Sequence, residues 1–63
     1  MEEDEIYELN KEIKQYDGGN TFIHSLQKNL KGKVSEYYEY NGRKMKRLSD
    51  RQYSIAKSIL KDG

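Results

Sequence analysis

Residues 33–48 read Lys33-Val34-Ser35-Glu36-Tyr37-Tyr38-Glu39-Tyr40-Asn41-Gly42-Arg43-Lys44-Met45-Lys46-Arg47-Leu48, and the fold turns on how Asn41-Gly42 is read. Asn-Gly between segments of tyrosines and long side chains is the strongest short-range signal for a two-residue hairpin, because a type I′ turn needs positive φ at both central positions. In that register Tyr38 faces Met45, Glu39 faces Lys44 and Glu36 faces Arg47. These aromatic–thioether and opposite-charge pairs contribute a few tenths to ~1 kcal/mol each. The competing reading is one long helix. Leu26, Leu30, Val34 and Tyr37 continue a helical spacing if Gly32 is tolerated, at a cost of ~1 kcal/mol, with Asn41-Gly42 as its C-cap. The hairpin is the reading we carry forward.

Upstream, residues 1–17 form an acidic helical segment in which Ile6, Leu9, Ile13 and Tyr16 make one apolar stripe on a 3.6-residue period. Glu2 to Glu5 suit the positive end of the helix dipole, and Tyr7, Glu8, Lys11 and Glu12 fall on the wet side. Asp17-Gly18-Gly19-Asn20 stops the helix, with Gly18 suited to a left-handed cap. A second helix spans 20–31, capped by Asn20 or Thr21 and ended by Gly32. Its apolar face is Phe22, Ile23, Leu26 and Leu30; at this length it needs a partner, and an antiparallel pairing with the first helix is expected.

The last helix, 49–61, opens with a capping box, Ser49 with Gln52 three residues on, and Leu48 in the staple position. Ile55, Ala56, Ile59 and Leu60 make its stripe, with Tyr53 at the margin. The fold class expected is therefore a small α-rich α+β domain over 1–63, three short helices with a β-hairpin between the second and third. Its core is expected to hold Ile6, Leu9, Ile13, Tyr16, Phe22, Leu26, Leu30, Val34, Leu48, Ile55, Ile59 and Leu60.

Composition narrows function. At 63 residues with no cysteine and no proline, the chain makes one marginal domain without disulfide support. No apolar run exceeds two residues, so neither a membrane span nor a signal peptide is expected. Net charge is +1, but residues 1–18 carry seven acids against two bases and residues 19–63 carry ten bases against four acids. The near-neutral sum argues against a DNA mimic and against indiscriminate DNA coating. Catalysis is not expected: His24, the sole histidine, sits beside Ser25 on a helix, where sequence neighbours diverge, and is read as a surface residue without a partner. Glu2, Glu3, Asp4 and Glu5 are adjacent on a helix end and cannot converge rigidly on a metal, and no cofactor is implied.

The positive signal is five bases in nine residues, Arg43, Lys44, Lys46, Arg47 and Arg51, opposite Tyr37, Tyr38 and Tyr40. Cations neutralise phosphates and release counterions, while tyrosines stack on unpaired bases. This points to nucleic-acid contact through Arg43, Lys44, Lys46, Arg47, Arg51, Tyr37 and Tyr40, extended by Lys28, Lys31 and Lys33. One hairpin face must pack on the helices, so at most half the cluster can serve a ligand. The bland alternative is that the tyrosines complete a core and the bases form its wet rim. Tyr, Met and Arg are also enriched at protein contacts. A second function is therefore a protein–protein effector whose acidic helix docks through Glu5, Glu8 and Glu12, and either helix stripe can pair with a second copy as a homodimer.

The stretch Phe22-Ile23-His24-Ser25-Leu26, a lysine-rich linker, then Leu48-Ser49-Asp50-Arg51-Gln52 and an Ile/Ala-rich helix resembles a pattern of small phage-encoded accessory proteins of nucleic-acid metabolism. There an F-x-x-S-L helix is followed, after a variable insert, by an L-S-x-x-Q helix. The match covers residues 22–60 and departs in the tyrosine-rich insert at 33–47. The resemblance implies a phage setting in the host cytoplasm. Such proteins either assist nucleic-acid transactions or bind a host enzyme, such as an RNA polymerase or a defence nuclease, to inhibit or redirect it.

Overall fold

The computed structural model describes residues 2–62. The order is α1 (Glu3–Gln15), α2 (Thr21–Lys31), β1 (Glu36–Tyr40), β2 (Arg43–Arg47) and α3 (Asp50–Asp62). The strands form an antiparallel hairpin in the expected register, Tyr38 opposite Met45 and Glu39 opposite Lys44. Asn41 at φ 53° and Gly42 at φ 77° make the type I′ turn, so the long-helix alternative is not what this sequence adopts.

Three helix boundaries have a clear local cause. Asn20 Oδ1 accepts from the Ile23 amide at 3.1 Å, so Asn20 rather than Thr21 caps α2. At α3 the Gln52 amide donates to Ser49 Oγ at 3.2 Å, and the Ser49 amide donates to Gln52 Oε1 at 3.0 Å, a reciprocal box. The end of α1 differs from expectation. Gly18 is not left-handed; α1 stops at Gln15 because Tyr16 turns extended, φ −65° and ψ 129°. Gly18 is instead needed for space, since a Cβ there would overlap the Tyr16 ring, whose hydroxyl accepts from the Asn20 amide at 3.1 Å.

Two side chains close the α1–α2 turn. Gln27 donates to the Ile13 and Tyr16 carbonyls at 2.8 and 2.7 Å, adding to the Tyr16 amide's bond to the Ile13 carbonyl at the helix end. His24 Nε2 donates to the Gly18 carbonyl at 2.6 Å, and Nδ1 lies 3.2 Å from Gln27 Oε1. His24 is exposed, as expected, but it is not without partners: it is a clasp on the turn.

The three helices and the inner face of the hairpin enclose one core of Ile6, Leu9, Ile13, Ile23, Leu26, Leu30, Tyr38, Leu48, Tyr53 and Ala56. Six of the twelve expected core positions are buried, Ile6, Leu9, Ile13, Leu26, Leu30 and Leu48, and the differences on α2 and α3 are rotations. Ile23 is fully buried, whereas Phe22 is only half-buried on α2. On α3, Tyr53 and Ala56 are fully buried, Ile59 and Leu60 are half-buried, and Ile55 is 40% exposed. Tyr16 and Val34 are half-buried at the margin.

What turns α3 this way is a buried polar chain. The Leu48 amide donates to the Tyr53 hydroxyl at 2.8 Å, and that hydroxyl donates to Asn10 Oδ1 at 2.7 Å. Asn10 Nδ2 then donates to the Lys46 carbonyl at 3.2 Å. The chain ties α3, α1 and β2 together through groups that would each cost ~1–3 kcal/mol if buried unpaired. Burial pushes the Tyr53 pKa up, opposed by these hydrogen bonds.

Candidate nucleic-acid interface

The hairpin has two faces of different character. Tyr38, Tyr40, Arg43, Met45 and Arg47 point inward with Glu36, while Tyr37, Glu39, Lys44 and Lys46 point outward. The inward tyrosines do not wait for a ligand in the same way. Tyr38 is buried, and burial pushes its pKa up. Its hydroxyl lies near the Asn10 amide but has no hydrogen-bond partner among the described residues, that amide being held by Tyr53 and Lys46. Tyr40 stacks on Tyr7 of α1, ring centroids 4.6 Å apart and 9° from parallel. The Asp4 carboxylate is the main cause of a raised Tyr40 pKa.

The expected cations divide just as sharply. The Lys46 ammonium turns to the Lys31 and Gly32 carbonyls at the end of α2, where the helix dipole favours a cation. Arg47 pairs with Asp50, donates from Nε to the Leu48 carbonyl at 2.9 Å and lies 5.8 Å over the Tyr53 ring. Lys46 and Arg47 are thus half-buried structural groups rather than loose cations. Lys44 is exposed with its ammonium 4.8 Å from the centre of the exposed Tyr37 ring. Arg43 is exposed at the hairpin tip, and Arg51 is exposed on the first turn of α3, on a different element from the rest.

Between α1 and β2 runs an open groove of about 590 Å³. Its cations are Lys11 and Lys14 of α1 with Arg43, Lys44 and Lys46 of β2, and no carboxylate lines it among the described residues. Its floor is Tyr7, Asn10, Leu30, Tyr38 and Met45. The side of β2 toward α1 is its unpaired edge. A two-residue hairpin closes on the hydrogen-bonded pair Tyr40–Arg43, so pairing alternates and the backbone groups of Lys44 and Lys46 face outward along the edge. The Asn10 bond to the Lys46 carbonyl shows that this edge faces α1. A shallower bay on the same side is lined by Tyr7, Tyr40, Asn41, Arg43 and Met45.

Lys11, Lys14 and Tyr7 were not among the expected site residues. Their signal was present in sequence, at i, i+4 and i+7 on one flank of the α1 stripe, but summing charge over the whole acidic segment hides it. The acids Glu5, Glu8 and Glu12 occupy the opposite flank. Glu5 is ion-paired with Lys57 of α3, whereas Glu8 and Glu12 are exposed beside a notch shared with Leu9, Leu60 and Lys61.

Among the described residues no cluster of three or more metal-ligating side chains forms, and no helix is long and apolar enough to cross a membrane. No family model, curated protein or solved structure matches the chain. The fold and its surface define a small α+β domain whose first helix and hairpin frame a cationic, tyrosine-floored groove.

Proposed function

We propose that the protein is a non-enzymatic accessory factor that contacts nucleic acid through the groove between α1 and the hairpin. A phage-encoded component of a larger cytoplasmic complex is the setting its sequence resembles. The observation that carries this reading is the convergence of Lys11 and Lys14 with Arg43 and Lys44 on one side of the molecule, with no lining carboxylate. Phosphate contact is the strongest sequence-independent source of nucleic-acid affinity, and it needs cations that are not already neutralised internally. Lys46 and Arg47 are so engaged, which moves the working cations one step toward the hairpin tip and across to α1.

The test is fluorescence anisotropy with labelled DNA and RNA at ~50 and ~200 mM salt, where affinity for a phosphate-binding surface falls several-fold. The variant Arg43→Glu/Lys44→Glu changes two exposed positions and is expected to lose binding while keeping its circular dichroism. Full affinity in that variant contradicts the reading. A protein-effector reading is favoured by a separate observation: Glu8 and Glu12 are exposed beside the α1–α3 notch, and Ile55 and Tyr37 are 40% and 44% exposed. A host enzyme captured stoichiometrically after nuclease treatment would support it.

A further inference from the structure

Resting on the nucleic-acid reading, we infer that the α1–β2 groove selects a single strand over a duplex and reads it as a phosphate track ending at a base-stacking platform made by the Tyr7–Tyr40 pair. Three features of the groove point this way. First, the outward hairpin face, the one a two-stranded ribbon would lay into a duplex major groove, is poorly suited to phosphate. Of its two cations, Lys46 is drawn to the end of α2, and on this face Lys44 stands directly opposite Glu39, a carboxylate of a kind that the groove lining lacks. Secondly, the free cations line a concavity. Lys11 and Lys14 stand across the groove from Arg43, and the backbone amides of Lys44 and Lys46 face it along the unpaired β2 edge. A flexible strand can enter such a groove and meet both side-chain and main-chain donors, whereas the phosphates of a stiff duplex reach only its rim.

Thirdly, charge gives the groove a direction. The Tyr7–Tyr40 stack lies in the bay toward the hairpin tip, where the Asp4 carboxylate adjoins the Tyr40 hydroxyl. A phosphate is disfavoured beside that carboxylate, but an uncharged base is not. Tyr7 is 36% exposed and Arg43 lines the same bay. A base stacked on Tyr7 thus leaves its flanking phosphate near Arg43, and the strand continues past Lys11 toward Lys14. Stacking of this kind is tolerant of sequence, so the ligand class is single-stranded nucleic acid without strong base preference.

The experiment uses the full chain and three labelled probes of equal length, about 12 nucleotides. They are an oligothymidylate, the same strand with abasic sites throughout, and a duplex containing the thymidylate strand. The inference expects the thymidylate strand to bind about tenfold more tightly than the abasic strand, and Tyr7→Leu to abolish that difference. It also expects weaker binding of the duplex. Lys11→Gln/Lys14→Gln, at two exposed helical positions, is expected to lower the log–log salt slope by about 1.4 for the single strand. Equal affinity for all three probes, or an unchanged salt slope, overturns this inference while leaving nucleic-acid contact standing. Absence of binding to every probe overturns both.

Discussion

The two flanks of α1 are built from the same helix and lead to opposite surfaces. On one flank, Glu5, Glu8 and Glu12 face α3, where Glu5 meets Lys57. On the other, Tyr7, Lys11 and Lys14 face the hairpin and open into the cationic groove. The stripe between them, Ile6, Leu9, Asn10 and Ile13, is buried. A helix with a 3.6-residue period can hold three such bands at once, so a segment that sums to strong negative charge can still supply one wall of a cationic cleft. The lesson is that charge in a small domain is better read by helix face than by stretch of chain.

The comparison is broken most completely at the stripe both flanks share. Ile13→Ala removes a side chain with no exposure, and such truncations cost ~2–5 kcal/mol. A domain of this size holds only ~3–5 kcal/mol in total, so thermal circular dichroism is expected to find this variant largely unfolded. A melting transition close to that of the wild type would show that α1 does not anchor the fold.

Next in size is the polar chain on the hairpin flank. Tyr53→Phe leaves the Leu48 amide and Asn10 Oδ1 without their partner, an expected loss of ~1–3 kcal/mol in urea unfolding. Tyr38→Phe is its control: the same atom removed nearby, but from a buried hydroxyl that bonds nothing. It is expected to change stability by less than ~1 kcal/mol, on the stabilising side. Equal losses in the two variants would mean that the chain through Asn10 is not what holds α3.

The same two tyrosines predict the alkaline limit. Burial raises the pKa of each above the ordinary value of about 10. Above that value the folded chain keeps protons that the unfolded chain releases. Their contribution is therefore fully present below pH ~10 and is lost as pH rises through the raised values. Unfolding monitored by tyrosinate absorbance is expected to coincide with the loss of helix in that range, and tyrosinate formation complete before helix loss would contradict it. The smallest effect belongs to the acidic flank. Glu5→Gln breaks the partly exposed pair with Lys57 and is expected to cost less than ~1 kcal/mol by the same urea titration.

Much of the architecture was legible because its causes are local. Asn41-Gly42 dictates the turn and hence the register, Ser49 with Gln52 dictates the start of α3, and the α1 stripe follows from its period. What escaped was set at long range. The helix period allows α3 to bury Ile55 or Tyr53. The choice of Tyr53 depends on an acceptor, Asn10, that lies 43 residues away in the chain. Phe22 and Ile23 pose the same ambiguity on α2, and packing settles it in favour of Ile23. The candidate site was half legible. Arg43 and Lys44 lie where the basic run placed them, but Lys46 and Arg47 look free in sequence and are drawn to the end of α2 and to Asp50. Lys11 and Lys14 look neutralised by neighbouring acids and are not, because those acids lie on the other flank.

The most direct test of the account is amide chemical-shift mapping of the folded protein titrated with a single-stranded oligonucleotide. The account predicts perturbations concentrated at residues 7–14 and 43–46, on both walls of the groove, with Glu8 and Glu12 affected less than Lys11 and Lys14. Perturbations centred instead on α3, or on the outward face at Tyr37 and Glu39, would contradict it.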